Sequence, residues 1–429
     1  MTAVEPRSRR GLVAVLTALA AGWTGTRLLN IAMPWFVLTS TGSATATGLV
    51  VFAQMGPYVL CQVLAGPLID RIGPKRISVW GDVTAAVFLA AIPLAYQLDV
   101  LSLPVLMVLI ALSGAAEGPA NIAKSVFIPA AATAAGMRLE RATGISGAIE
   151  RTASTVGPAV AGVMVGAFGG PSVLWGTAAL TALSGLIIAV GTVDPRREPD
   201  EDEDADAGYL TRLRGGVEFL RREKLLLMIS GMITVTNLLD QGWSAVMLPL
   251  WAKESGYGPE TVGLLFSVMS GASVAASLIA AAWGHRLPRR TVFLLGFIIG
   301  GVPRFILMAF GAPLWLIIGV FVIGGLGSGF LNPIIGAVQY ERIPAAKLGR
   351  VTTLTRSMAW AGIPFGGLVA SGFVALAGLS GAMLVVGGLY LAAILLPGLR
   401  PEWKQMKQAP VPKQREPERE KECVGSGGG

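Results

Sequence analysis

The chain has 429 residues, of which 53% are hydrophobic and 14% are charged, and its mean hydropathy is +0.64. A soluble domain carries about 25% charged residues, so this composition excludes an ordinary water-soluble protein. The net charge of +8 does not indicate nucleic-acid binding, because the basic residues lie in short segments beside apolar runs, where anionic lipid headgroups account for them.

Twelve apolar runs of about twenty residues fill the chain, and each can cross about 30 Å of hydrocarbon as a helix that rises 1.5 Å per residue. We therefore predict an all-α polytopic membrane protein with twelve transmembrane helices. The predicted spans are 11–38, 47–68, 77–97, 101–122, 143–168, 171–193, 225–251, 261–283, 291–310, 313–338, 351–376 and 381–396.

The distribution of basic residues predicts the orientation. Of the 34 Lys and Arg residues, 29 lie in the N-terminus, the even-numbered loops and the C-terminal tail, and four lie inside spans. Lys253 alone lies in an odd-numbered loop. By the positive-inside rule, both termini are expected in the cytoplasm.

The first predicted span carries Arg27 and Asn30. An ionisable side chain at mid-bilayer costs at least about 2.5 kcal/mol on insertion scales, so Arg27 is expected to face a cavity or a partner. Asn30 is a candidate for the wall of a substrate cavity.

The loop after the second span, GPLIDRIGPKR (residues 66–76), resembles the cytoplasmic signature of the major facilitator superfamily. A Gly at its start permits close helix contact, a second Gly permits a tight turn, and the Asp can meet the positive end of a facing helix. The resemblance implies a cytoplasmic gate, whereas the alternative is that Asp70 and Arg71 are only surface charges that orient the chain. The proposed gate residues are Gly66, Asp70, Arg71, Gly73, Lys75 and Arg76. Pro74 departs from the family pattern by replacing a usual basic residue.

The fourth and fifth spans contain further charges, namely Glu117, Glu150 and Arg151. In the fifth span, residues 147–162 (GAIERTASTVGPAVAG) are similar to the antiporter signature of the same superfamily. Its small residues allow a neighbouring helix to approach and its Pro bends the helix. A simple packing kink is the alternative interpretation. The matching residues are Gly157, Pro158 and Gly162.

The one long polar interval divides the spans into six and six. The acidic run 198–206 is expected to be disordered, and 209–222 suits a helix on the inner membrane surface or an ordinary solvated linker. The predicted domains are an N-terminal six-helix bundle (1–193), a linker (194–224), a C-terminal six-helix bundle (225–397) and a tail (398–429) that ends in an added GSGGG linker.

The two halves also resemble each other at an offset of about 210 residues, which is typical of a duplicated unit. Three pairs of segments correspond in the same order: DRIGPKR with HRLPRR, EGPAN with SGFLN, and MPW with LPLW. Such a duplication predicts two pseudo-symmetric bundles, the major facilitator fold, with the substrate site between them at mid-depth.

Proton coupling requires a group that changes charge as its surroundings change, and desolvation raises a carboxyl pKa while a nearby cation lowers it. Asp240, in the middle of the seventh span, is the first candidate, followed by Glu117 and Glu150. We predict that Arg27 or Arg304 is the counter-charge of Asp240; a static ion pair that fixes helix packing is the alternative. The full set of counter-charge candidates is Arg27, Arg304, Arg151 and Arg356. The substrate-cavity candidates are Asn30, Asn237, Gln241, Trp243, Asn332 and Trp360.

The whole chain most resembles the drug/proton antiporter branch that includes mycobacterial Tap-type pumps, macrolide-efflux proteins and enterobactin exporters. The resemblance implies proton-coupled export of lipophilic drugs or related small molecules by alternating access. It also implies a monomer in the bacterial cytoplasmic (inner) membrane, in contact with membrane lipid. A siderophore or lipid exporter and an uncoupled facilitator remain alternatives, and uptake by symport is not excluded. The branch often has a carboxylate in its first span, which this chain lacks.

Neither an enzyme nor a cofactor-dependent protein is indicated. A GxxxxGK[ST] phosphate-binding loop is missing from the sequence, and its single His and two Cys do not form metal-ligand clusters. We therefore predict no cofactor, no metal and no nucleic-acid partner.

Overall fold

The computed structural model describes residues 9–194, 217–283, 287–344 and 348–406. The predicted acidic run 198–206, residues 209–216 of the predicted surface helix, and the tail from 407 onward lie outside the described residues. Residues 217–222 are helical, with Leu220 buried in the core.

The first half of the chain forms six helices, numbered here by span. They begin and end at residues suited to helix termini: the Ser43 side chain accepts the backbone N–H of Ala46, and Gly42 and Gly73 have φ of 67° and 97°. The helices are α1 (Arg10–Thr41), α2 (Ala44–Ile72), α3 (Pro74–Gln97), α4 (Leu103–Ala134), α5 (Leu139–Phe168) and α6 (Gly170–Gly191).

The second half forms six more spans, several of which are interrupted. Span α7 runs as Lys224–Gly242, a π-helical turn Trp243–Met247 and Leu248–Glu254. Spans α8 (Pro259–Trp283) and α9 (Arg289–Ala309) are continuous, whereas α10 is Leu314–Ser328 followed by Leu331–Arg342. Span α11 begins as Leu348–Ala361, and the stretch Ile363–Gly398 contains its second part and then α12, divided at Gly378 (φ 67°, ψ 175°).

Ten helices of the described chain are long and apolar enough to cross a membrane. One of them, Val351–Gly398, contains both α11 and α12, and α5 is outside the ten because ionisable residues interrupt its apolar run. The prediction of an all-α fold with twelve spans is confirmed.

The helix packing repeats between the halves. The pairs α2–α4, α3–α4 and α3–α6 correspond to α8–α10, α9–α10 and α9–α12, and the most extensive contacts between the halves are α5 with α8 and α2 with α11. A pseudo-twofold axis relates each helix to the one six places away in a cycle of twelve. It therefore relates the α5–α8 contact to α11–α2, as observed.

The halves meet most closely at the end of the bundle opposite Arg10 and Gly398, called here the far end. A Cβ on Gly48 of α2 would lie 2.5 Å from the Gly367 carbonyl oxygen of α11, and a Cβ on Gly263 of α8 would lie 2.2 Å from that of Pro158. Glycine is required at such positions because backbone approaches backbone. In addition, Lys253 Nζ donates to the Leu38 carbonyl across the halves at 3.0 Å.

The predicted boundary that differs most from the structure is the end of span four, which is wrong by more than three helical turns. Span four was expected to end at residue 122, which placed Lys124 in a basic loop, but α4 continues to Ala134 and buries Lys124. The lysine interrupts the apolar run, yet it is neutralised within the bundle by Asp82 of α3.

Candidate functional site

The middle of the C-terminal half contains a charged cluster. Arg304 of α9 forms a hydrogen-bonded ion pair with Asp240 of α7, and the Tyr390 hydroxyl of α12 donates to the other carboxylate oxygen at 3.4 Å. The Asp240 side chain remains 37% exposed whereas Arg304 is 6% exposed. The pair therefore has one face in contact with a cavity and the other inside the bundle.

Aromatic rings hold the Arg304 guanidinium in place. Its Cζ lies 4.1 Å from the Trp243 ring centroid and 4.9 Å from that of Phe305, a cation–π geometry. Trp243 is 1% exposed and lines neither of the cavities described here, which corrects its prediction as a cavity residue. The reason is that Phe266, Phe305 and Phe321 surround its ring.

Asp240 lines a cavity of about 550 Å³ that extends along α7 to Leu226 and along α10 to Val338, towards the end of the bundle that holds Arg10 and Gly398. At one wall, the Asn237 amide and the Thr234 hydroxyl donate, each at 2.8 Å, to carbonyls of α11 just before its break. The predicted site residues that line this cavity are Asn237, Asp240, Arg304, Asn332, Arg356 and Trp360.

A second cavity of about 200 Å³ lies between the halves and is lined by α1, α2, α5, α7 and α8. It contains Arg27, Asn30 and Gln241 from the predicted set, together with Gln54 and Ser244. Arg27 lies against α5, where a Cβ on Gly157 would be 2.8 Å from the Arg27 Cβ. Asp240 is thus paired with Arg304 and not with Arg27.

Glu117 of α4 is buried at 9% exposure and accepts hydrogen bonds from neutral groups, the Thr26 hydroxyl at 2.8 Å and the Asn121 amide at 3.5 Å. It therefore differs from Asp240, whose partner is a cation. Glu150 and Arg151 are exposed on α5, and neither lines the two cavities described above.

Sequence reasoning missed a buried triad in the N-terminal half. Lys124 Nζ contacts both Asp82 carboxylate oxygens at 2.8 and 2.9 Å and the Ser184 hydroxyl at 3.1 Å. Asp82 is fully buried. Tyr390 was also missed, although it is the one polar side chain in the predicted span 381–396.

The gate motif is only partly as expected. Gly73 makes the predicted tight turn, while the Lys75 backbone N–H and Nζ bind Asp194 Oδ1 and the Thr192 carbonyl at 3.0 and 2.6 Å. The close contact expected at Gly66 is absent, since a Cβ there would meet nothing within 4 Å.

The charged part of the motif faces outward. Asp70, Arg71 and Arg76 are exposed, and among the described residues Asp70 has no hydrogen-bond or ion-pair partner. The expected contact of Asp70 with a facing helix is therefore not formed in this structure, in which the tight contacts between the halves lie at the far end.

Two residues of the antiporter motif, Pro158 and Gly162, lie where the halves meet, whereas Gly157 packs on α1 of its own half. Besides the contacts of Gly157 and Pro158 given above, a Cβ on Gly162 would lie 2.5 Å from the Pro259 carbonyl oxygen of α8. The close helix approach predicted for these small residues is observed. Within the described ranges, no group of three His, Cys, Asp or Glu side chains could hold a metal ion.

Comparison with known proteins gives consistent matches over nearly the whole chain. The family model "Major Facilitator Superfamily" matches residues 15–239 and 230–423. The multidrug efflux pump Tap of Mycobacterium tuberculosis is 31% identical over 405 residues, 92% of this chain and 95% of the relative. Macrolide efflux protein A of Streptococcus pyogenes is 24% identical over 391 residues, 86% of this chain and 91% of the relative.

Solved structures with the same fold include the nucleoside transporter NupG, with a TM-score of 0.71, 16% identity and coverage of 93% of this chain and 99% of that one. A bacterial homologue of the lysosomal transporter Spinster in an inward-facing conformation has a TM-score of 0.69 and 13% identity, over 95% and 100% of the two chains. At these identities the likeness concerns the fold alone.

Proposed function

The chain belongs to the Major Facilitator Superfamily, and from this premise we propose that it exports lipophilic small molecules in exchange for protons by alternating access. It is a multi-pass membrane transporter whose relatives include multidrug efflux pumps. The loops at the end of the bundle that holds Arg10 and Gly398 are rich in Lys and Arg, which supports a cytoplasmic location for that end.

The observation that carries the proposal is the position of Asp240. Its carboxylate is bound on one side by Arg304 and Tyr390 and faces the larger cavity on the other. A carboxylate that is exposed to water in one state and paired in another can take up and release a proton as the transporter changes conformation. Arg304 is well placed to be the counter-charge, because cation–π contacts with Trp243 and Phe305 fix it whether or not Asp240 is ionised.

The arrangement of the halves supports alternating access. The contacts at the far end close that side, while the larger cavity extends towards the terminal end. With the proposed orientation, these features support an inward-facing state, in which an exporter takes up its cargo. The exposed Asp70 fits this state, because a cytoplasmic gate that is open leaves its motif unpaired.

The test uses the full chain in proteoliposomes with an imposed pH gradient and a rhodamine methyl ester as the dye. We expect the wild type to accumulate dye against its concentration gradient, and Asp240→Asn to lose this accumulation while still exchanging dye without a gradient. Asp99→Asn is the matched control: Asp99 is exposed in a loop at φ 54°, which Asn also tolerates.

Three outcomes would contradict the proposal. Wild-type dye flux that stops at equal concentrations on the two sides, with the pH gradient present, would indicate an uncoupled facilitator. Absence of dye flux together with a change in the lipid composition of the two leaflets would indicate a lipid exporter. An Asp240→Asn protein that fails to fold would indicate a packing role for the ion pair.

A further inference from the structure

Arg27 is a half-buried cation whose side chain has no hydrogen-bonding partner among the described residues. It makes no hydrogen bond or ion pair within the described residues, and its Nε atom is buried and unpaired. It lies on α1 some 17 residues after Arg10, or about 26 Å along the helix at 1.5 Å per residue, and therefore deep in the membrane. Arg304, at comparable depth in the other half, has Asp240 and three aromatic rings around it.

An unpaired guanidinium at this depth is energetically costly, so it requires an anion in at least one state of the protein. Among the described residues, the carboxylate that acts electrostatically on Arg27 is that of Glu150, which is exposed and forms no ion pair with Arg27. The Asp240 carboxylate is bound by Arg304. No carboxylate among the described residues is paired with Arg27, so its anion has to come from a bound molecule or ion.

The cavity beside Arg27 has the composition of an anion site. Four neutral side chains with N–H or O–H donors line it along with the guanidinium, and Met55, Pro158 and Phe266 provide an apolar wall. The donors are Asn30, Gln54, Gln241 and Ser244. Its volume of about 200 Å³ exceeds that of a single carboxylate and leaves room for part of an attached ring.

We propose that this cavity between the halves binds an anionic group, either the carboxylate of an amphiphilic substrate or a free inorganic anion, through Arg27. The guanidinium can bind a carboxylate with two parallel N–H···O bonds, while the apolar wall receives the body of the molecule. This inference deepens the proposed function by naming amphiphilic acids as a substrate class. Because Arg27, Asn30 and Gln54 belong to one half and Gln241 and Ser244 to the other, a bound anion contacts both moving halves.

The experiment measures equilibrium binding to the full purified chain in detergent, without a pH gradient. The probes are a rhodamine carboxylic acid and its methyl ester, which differ in one charge. We expect Arg27→Gln to weaken binding of the acid by about 10- to 100-fold, the range for a lost charge-assisted hydrogen bond, and to change binding of the ester less than about twofold. Arg141→Gln, an exposed arginine at the start of α5, is the matched control and should change neither.

Titration of chloride into a chloride-free zwitterionic buffer distinguishes the two sources of the anion. If the substrate supplies it, chloride competes with the acid and leaves the ester unaffected. If a free anion supplies it, ester binding requires chloride in the wild type and loses this requirement in Arg27→Gln. Equal effects of Arg27→Gln on acid and ester, with no anion dependence in the wild type, would overturn the proposal.

If Arg27→Gln does not fold, two other measurements still test the site. Arg27→Lys keeps the charge and should retain part of the preference for the acid, and the wild-type melting temperature should rise with the acid more than with the ester. Equal shifts with the two probes would contradict the site. Because no gradient is used, failure of proton coupling would not affect this result.

Discussion

Lys124 Nζ lies 2.8 Å from Asp82 Oδ1, and the two side chains are 2% and 0% exposed. This ion pair joins α4 to α3 inside the N-terminal half. Removing one partner of such a pair typically costs about 3–5 kcal/mol, because it leaves the other charge buried and unpaired.

We therefore expect Lys124→Met to lower the melting temperature of the purified protein strongly, and Asp82→Asn combined with Lys124→Met to recover a large part of the loss. Thermal unfolding in detergent measures both. Additive losses in the double variant would show that the two side chains do not act as a pair.

Lys253 is expected to stabilise the closed far end. Its ammonium group contacts the Leu38 carbonyl in the last turn of α1, where a cation is favoured by about 0.3–1 kcal/mol. Lys253→Met should therefore increase the population of molecules open at this end by up to about fivefold.

Spin labels at Thr39 and Ser255, in a background without Cys61 and Cys423, report the opening as a distance distribution. Lys253→Arg keeps the charge and should resemble the wild type. An unchanged distribution in Lys253→Met would show that the contact does not contribute to closure.

Gly48→Ala should prevent full closure of the far end, because its Cβ would lie 2.5 Å from the Gly367 carbonyl oxygen. Gly56→Ala, on the same helix, adds a Cβ whose nearest neighbour is Phe52 at 3.9 Å and is the matched control. The same pair of labels should report a longer distance for Gly48→Ala alone, and dye export should fall with it. A longer distance in both variants would attribute the effect to α2 itself and not to the contact.

Glu117→Gln should fold as the wild type does, since the glutamine carbonyl can still accept the Thr26 hydrogen bond. If Glu117 carries a second proton, this variant accumulates less dye at a fixed pH gradient while its melting temperature is unchanged. Unchanged accumulation would restrict Glu117 to a structural role. A large loss of stability would instead show that the amide does not replace the carboxyl in its hydrogen bonds.

The sequence alone predicts the twelve spans because each is a long apolar run, and it predicts the turn at Gly73 because two spans follow each other closely. It singles out Asp240 and Arg304 because a charge within such a run needs a partner. It does not predict that Lys124 is inside the membrane, since its partner Asp82 is 42 residues away.

The burial of Trp243 could not be predicted from the sequence either. In a helix that is apolar on most sides, the sequence does not distinguish a side that packs on other helices from one that lines a cavity. The π-helical turn that begins at Trp243 has no composition signal of its own.

That turn has a mechanical consequence. Span α7 carries Asp240 just before the π-helical residues Trp243–Met247 and Lys253 just after them. Shifting a helix by one residue rotates everything beyond by about 100°. A tightening of this wide turn to ordinary α geometry would therefore swing the Lys253 ammonium group away from the Leu38 carbonyl on α1, so one helix would link a change at Asp240 to opening of the far end.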